Sequence, residues 1–418
     1  MIRRSALASA SCKWLSVGLC GIALLGCKMH SSGQREAEKK RAPTARLDEG
    51  VLSNLGLETA WFLPSADTRT TVLSAVLDPD GLFLSTQAAA GRSGQLIRVQ
   101  PKDGHVAWYF DLEHDAPLTQ APTVHRYGAG AGNKSNEVFF TQLDDIYVVD
   151  LVYGDLMRRA DLDSTVATSV AAVDDLYFFG AENGTVLGYL KAGDVAKWQY
   201  RTGVGLRASP VVSGSSVLFA SQDHSVYRFS ATQGYPPDFF WSRKTGGPVV
   251  ASPTVFSDRV YVGSTDYKLY CLSLRDGSVI WPFLAEAPIE TPPVVYSPQA
   301  GAAVVYCISV EHRRRGEKRT LFAVEDHTGL EAWRHPGIRQ VVARGRDNLY
   351  VLADPAEGVG RKLLALDAKT GKQKFELDIS QFHFVPTNSA DFGRDASERG
   401  RFYLVGRDGA VQAITEKY

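Results

Sequence analysis

The chain has 418 residues, and its 46 Lys plus Arg are matched by 46 Asp plus Glu. Nothing in that balance favours nucleic acid or a generally anionic partner, and the length allows two or three ordinary domains or one large repeat array. The 38 glycines and 17 tyrosines suit a turn-rich all-β chain, while five cysteines without a CxxC pair and nine histidines without HExxH or HxH leave no metal-ligating spacing.

The N-terminus reads as an address. Arg3, Arg4 and Lys13 form a basic start. The apolar stretch 14–25 is too short to span a bilayer comfortably and has the length of a signal core. It ends in "LLGC", Leu24 to Cys27, which resembles the bacterial lipobox. The resemblance implies a signal peptide over 1–26 and lipidation of Cys27. The alternative is an ordinary signal peptide with a chance cysteine. In Gram-negative lipoproteins a residue other than Asp after the lipidated cysteine implies the outer membrane, and here Lys28 stands there. Residues 27–49 are polar and nearly free of large apolar side chains, so they cannot bury enough surface to order themselves. They read as a tether of about 25 Å, from about 5–6 Å × √n for a flexible chain. Its basic cluster, Lys39, Lys40 and Arg41, either touches anionic headgroups or is simply solvated.

From residue 50 the chain repeats. A glycine turn followed by a large side chain recurs as Gly104 and Trp108, Gly154 and Met157, Gly193 and Trp198, Gly234 and Trp241. Gly277 and Trp281, Gly329 and Trp333, and Gly371 and Phe375 continue the series. Successive glycines stand between 39 residues (Gly154 to Gly193) and 52 residues (Gly277 to Gly329) apart, the period of four-stranded propeller blades. Each period opens with a small or proline-containing segment such as "ASPVV" or "TPPVV". Two runs apolar on both faces follow, such as "RVYVGS" and "KLYCLSL", as expected of strands sandwiched between neighbouring sheets. We label the strands A to D in that order.

Seven D strands can be counted after residue 100. The C-terminal blade has an A-like segment in "FHFVPTN", B in "RFYLVG" and C in "AVQAIT", and then the chain ends without D. "LETAWFLP", carrying Trp61, supplies that strand from the N-terminal side. The expectation is an all-β, eight-bladed propeller of four-stranded antiparallel blades over 50–418, closed by an N-terminal strand and monomeric. Closure removes the open sheet edge. Cys271 and Cys307 fall mid-strand in neighbouring blades, where facing sheets stand about 10 Å apart, so two buried free thiols are expected.

The phrases "VYVGS…KLYCLSLRDGSVIW" and "LLALDAKTGK" resemble the PQQ-like propeller repeat. One branch of that family, the quinoprotein dehydrogenases, implies a quinone, a calcium ion and often a vicinal disulfide. This chain has no adjacent cysteines and lacks the large insertions that build the quinone pocket. The other branch is the propeller lipoprotein of the outer-membrane β-barrel assembly machinery, with a lipobox, a short tether and eight blades. That resemblance implies a non-enzymatic scaffold without cofactor, lipid-anchored at the periplasmic face of the outer membrane and bound to an envelope protein. In that family a loop of similar sequence contacts the barrel-forming partner. Here "VGLRASPVV" (204–212) is similar to it, with Leu206 and Arg207 in the matching places and Gly205 where a serine would stand. The other reading of Arg207 is a solvated inter-blade arginine. A ligand-binding or sensory envelope propeller is the functional alternative.

Two further stretches stand out. "EHRRRGEKR" (311–319) puts Arg313, Arg314 and Arg315 at a hairpin tip of blade six, either a contact for anionic groups or a solvated, self-repelling tip. "YGAGAGNKSNE" (127–137) is glycine-rich but lacks the GK[ST] of a phosphate-binding loop.

Overall fold

In the computed structural model, residues 45–417 are described apart from 66–69, 89–92, 114–115, 129–133, 163–164, 194, 232–237, 298–302, 315, 355–359 and 389–399. Seven four-stranded antiparallel sheets follow one another along the chain. They cover residues 70–111, 120–161, 171–201, 211–244, 254–284, 294–336 and 338–378, which we number as blades one to seven. In every blade the strands neighbour each other in chain order, A to D. Blade eight joins the two ends of the chain: Leu57–Leu63 pairs with Val411–Glu416, which pairs with Phe402–Val405. Its A segment is reduced to one bridge, Phe384 to Val405, because "FHFVPTN" runs into Pro386 and offers no continuous ladder. The expected eight blades and the N-terminal closing strand are therefore both present.

The B and C strands are buried along nearly their whole length, as in Glu137–Gln142 and Asp145–Asp150. D strands are instead largely exposed and turn one large side chain inward, as Trp281 in Val279–Leu284. One irregularity accompanies this in all eight sheets. The C–D register slips by one residue just before that inward position, for example between Cys271 and Leu272 opposite Trp281 and Val279. The extra residue, Ile280 or Phe240, is left facing solvent, and the bulge turns the following tryptophan into the gap between blades.

Four of these tryptophans dock on the next blade's C–D turn, while the buried indole of Trp198 makes no such bond. The indole N–H of Trp108 donates to Leu151 O at 2.9 Å, that of Trp241 to Leu274 O at 3.0 Å and that of Trp281 to Asp326 O at 2.6 Å. Trp333 reaches Ala368 O at 3.0 Å. The turn glycine three residues on lies flat under the ring: a Cβ on Gly329, whose φ is +70°, would come within 2.6 Å of Trp281. Trp61 of blade eight makes the same bond to Pro101 O of blade one at 2.9 Å, so the ring closes with the contact that follows blades one, four, five and six.

Packing begins before the expected boundary at residue 50. Ala45 and Leu47 are buried, and the Leu47 amide donates to Gln412 Oε1 at 2.7 Å. Asp48 then caps a short helix, Glu49–Asn54, by accepting from the amides of Gly50 and Val51. Residues 45–49 thus belong to the packed structure rather than to the tether. No described helix is long and apolar enough to cross a membrane. Cys271 and Cys307 are free and buried, as expected, and burial pushes the Cys271 thiol up to about 12. Cys27, with the whole signal segment and most of the tether, lies outside the described residues.

Candidate functional site

The loop from strand D of blade three to strand A of blade four carries "TGVGLRASP". It is held at both ends. The Thr202 hydroxyl donates to the carbonyls of Gly184 and Val204, each at 2.9 Å, and Gln222 Nε2 donates to Gly205 O at 2.8 Å. Further on, the Ser169 amide donates to Ser209 Oγ at 3.1 Å, and the Ser209 amide to Ser252 Oγ at 2.9 Å. The recurring Ser of "ASP" is therefore an inter-blade tie along the inner ring.

This frame corrects the expectation for Leu206. Its side chain is only 3% exposed and packs among Phe178, Phe219 and Phe229 between blades three and four. Val166, Val249, Ile289 and Ile338 hold the same repeat position in other blades, and all are buried. The position is apolar in these five blades because it fills the gap between neighbouring sheets, which places the Leu206 side chain in the core. Arg207, the next residue, is exposed, and no described residue forms a hydrogen bond or ion pair with it. Val204 is exposed beside it on the same fixed loop. The residue after the buried aliphatic varies from blade to blade: Ala167, Arg207, Val250, Glu290 and Arg339.

The blade-six hairpin is real, built by two ten-residue strands, Val304–Arg313 and Gly316–Glu325. Its charge is less one-sided than the arginine run suggests. Arg313 pairs with Glu311 at 2.8 Å, and Arg319 with both Glu317 and Asp354. His312 Nε2 lies 2.9 Å from Glu290, and that hydrogen bond raises its pKa. Arg314 is exposed, and Arg315 lies outside the described residues.

One D-strand assignment also changes. Met157 is the bulged residue of blade two and is 48% exposed, while Arg158 takes the inward position. Its guanidinium donates to Lys191 O, the carbonyl equivalent to those capped by indoles elsewhere, and stacks 5.6 Å from the Tyr177 ring. Beside it is a buried ionic group. Lys191 Nζ contacts Glu137 Oε2 at 2.6 Å and Tyr127 OH at 2.8 Å. Burial, followed by the Lys191 charge, lowers His125 to about 4. Aligning "LMRRAD" on "VAWYFD" would have revealed the substitution, but matching the largest apolar residue picked out its neighbour.

Among the described residues, no group of three or more His, Cys, Asp or Glu is placed to hold a metal ion. A fixed loop with one exposed arginine can bind; it presents no assembled nucleophile with its base.

The blade count, the D-strand tryptophans and the inner serine ties define an eight-bladed β-propeller. Its C-terminal part is similar to one family in particular: the family described as outer membrane protein assembly factor BamB matches residues 238–417. No curated protein sequence matches. Among solved structures, BamB from Moraxella catarrhalis aligns with a TM-score of 0.59 at 16% identity, over 86% of this chain and 99% of that one. The computationally designed Ika8 protein aligns at 0.58 and 14% identity, over 85% and 98%. Quinohemoprotein alcohol dehydrogenase ADHIIG from Pseudomonas putida HK5 aligns at 0.57 and 10% identity, over 87% of this chain and 76% of that one. An assembly factor, a designed protein and a dehydrogenase share the ring, so the ring alone decides no activity.

Proposed function

We propose that this chain is a non-enzymatic scaffold, tethered by lipid at Cys27 to the periplasmic face of the outer membrane. There it binds an envelope protein in the assembly of outer-membrane β-barrels. The observation that carries this reading is the assembly-factor family match across residues 238–417, joined to end-to-end coverage of a BamB ring. Arg207 is the contact we assign to the partner. Its backbone is already fixed, so little ordering entropy opposes binding, and its planar fork can take a carboxylate or two main-chain carbonyls. Leu206 supports it from beneath as a core residue.

The test is a photo-crosslinking amino acid at position 207 in intact cells, with position 314 as control. A barrel-assembly protein should be captured from 207, and Arg207→Glu should weaken its binding by at least ~2 kcal/mol without changing the melting temperature. Capture from 314 alone would move the interface to the hairpin. In the same cells, Cys27→Ala should release the protein from the membrane fraction, and continued membrane association would defeat the lipid anchor.

A further inference from the structure

The inner strands of blades five to eight leave a cavity of about 720 Å³ on the axis side of the ring, lined by Phe256, Val295, Tyr306, Ile308 and Arg339 among others. A second cavity, about 560 Å³, continues toward blade one and is lined by Leu77, Arg339, Arg361, His383 and Phe384. Arg339, Gln340 and Thr387 border both. The larger volume suits a ligand of drug size.

The walls mix apolar side chains with polar groups, and the ionisable groups of the lining have one sign. Among the described lining residues, Arg339, Arg361 and His383 are the ionisable ones other than Tyr306, and no carboxylate is present. The polar neighbours are already committed. Gln340 Nε2 donates to Val385 O at 2.8 Å and Thr387 Oγ1 at 2.9 Å, and the Thr387 hydroxyl donates to Val341 O at 2.9 Å. Arg361 donates to the carbonyls of Phe382 and His383. Arg339 is exposed to the cavities, and no described residue forms a hydrogen bond or ion pair with it. Among the described residues, Asp408 is the one carboxylate whose charge acts on this cluster, through His383, and it does not pair with Arg339. Burial and then the Arg339 charge lower the Arg361 pKa, and burial followed by Arg407 and Arg361 lowers that of His383. An anion entering here meets an unpaired guanidinium that can take a carboxylate through two parallel hydrogen bonds.

We propose that the axis of the ring binds a small organic carboxylate with an apolar body, its carboxylate on Arg339 at the junction of the two cavities and its body in the larger one. This site is separate from the Arg207 rim, although Arg339 and Arg207 hold the same register in blades seven and four.

The experiment uses the purified full chain with no partner, so its outcome is independent of the scaffold reading. Naphthalene-2-carboxylate and its neutral isostere naphthalene-2-carboxamide are titrated by calorimetry against wild type, Arg339→Gln, Arg339→Lys and Arg207→Gln. The carboxylate should bind at least ~10-fold tighter than the amide in wild type and in Arg207→Gln. That preference should vanish in Arg339→Gln at an unchanged melting temperature, and persist in weakened form in Arg339→Lys, which keeps the charge and serves if the glutamine variant fails to fold. Equal affinity for acid and amide, a preference that survives in Arg339→Gln, or no binding of either probe would overturn the proposal.

Discussion

The junction between blades five and six and the junction between blades two and three solve one geometric problem with different chemistry. At the first, Trp281 fills the gap, caps Asp326 O at 2.6 Å and lies on Gly329. At the second, Arg158 reaches Lys191 O, and the buried Lys191–Glu137 pair sits alongside. The turn there is one residue shorter, and a Cβ on Gly193 would meet only Val195, at 3.8 Å. The slot is therefore defined by the D-strand bulge and the next blade's carbonyl. At the first junction an indole fills it over a flat glycine, and at the second a guanidinium fills it beside a turn without one. What differs is the source of cohesion: apolar area at one junction, and a charge network with pH-sensitive stability at the other.

The largest expected effect separates the two directly. Trp281→Ala should cost about 3–5 kcal/mol in urea unfolding, as for other buried large aromatics. Arg158→Ala should cost about 1–3 kcal/mol, chiefly for an uncapped carbonyl. Equal losses would mean the two side chains do the same work.

The turn glycines sharpen the contrast. Gly329→Ala should lose about 1–2 kcal/mol for its positive φ and about 1–3 more for collision with the indole. Gly193→Ala, at a φ of +84° but in open space, should lose only the first amount. Comparable melting temperatures for the two variants would contradict indole docking on Gly329.

The smallest effect is electrostatic and belongs to the polar junction alone. His125 is lowered from 6.5 to about 4 in the folded state. The unfolded chain therefore takes up its proton first on acidification, and stability present above pH 6.5 is lost progressively down to pH 4. At pH 5 the loss from this group is about 2 kcal/mol before screening and local relaxation reduce it. His125→Gln should flatten that part of the stability–pH curve, and a curve of unchanged slope would remove His125 from the account.

The ring was legible because its signal is periodic: Gly104 to Gly371 mark the turns, and Trp61 falls in phase with them across the gap between the chain ends. The blade-eight A strand was legible only as a segment, since the proline that interrupts it leaves one bridge. The site was less legible. Leu206 and Arg207 are adjacent letters in a family-like motif, yet one is core and the other surface. A strand end reverses direction at each residue, and only the surrounding sheets decide which side is inside.

The amino-acid order by itself determined the all-β class, the number of blades and their closure through Trp61, because each depends on local periodicity or on counting. Tertiary structure alone decided that Arg158 rather than Met157 enters the gap, that Leu206 is core, that packing starts by Ala45, and that Arg339, Arg361 and His383 share a cavity wall. These depend on a one-residue bulge, on the neighbouring blade and on contacts across the ring axis, and sequence spacing within one repeat carries none of them.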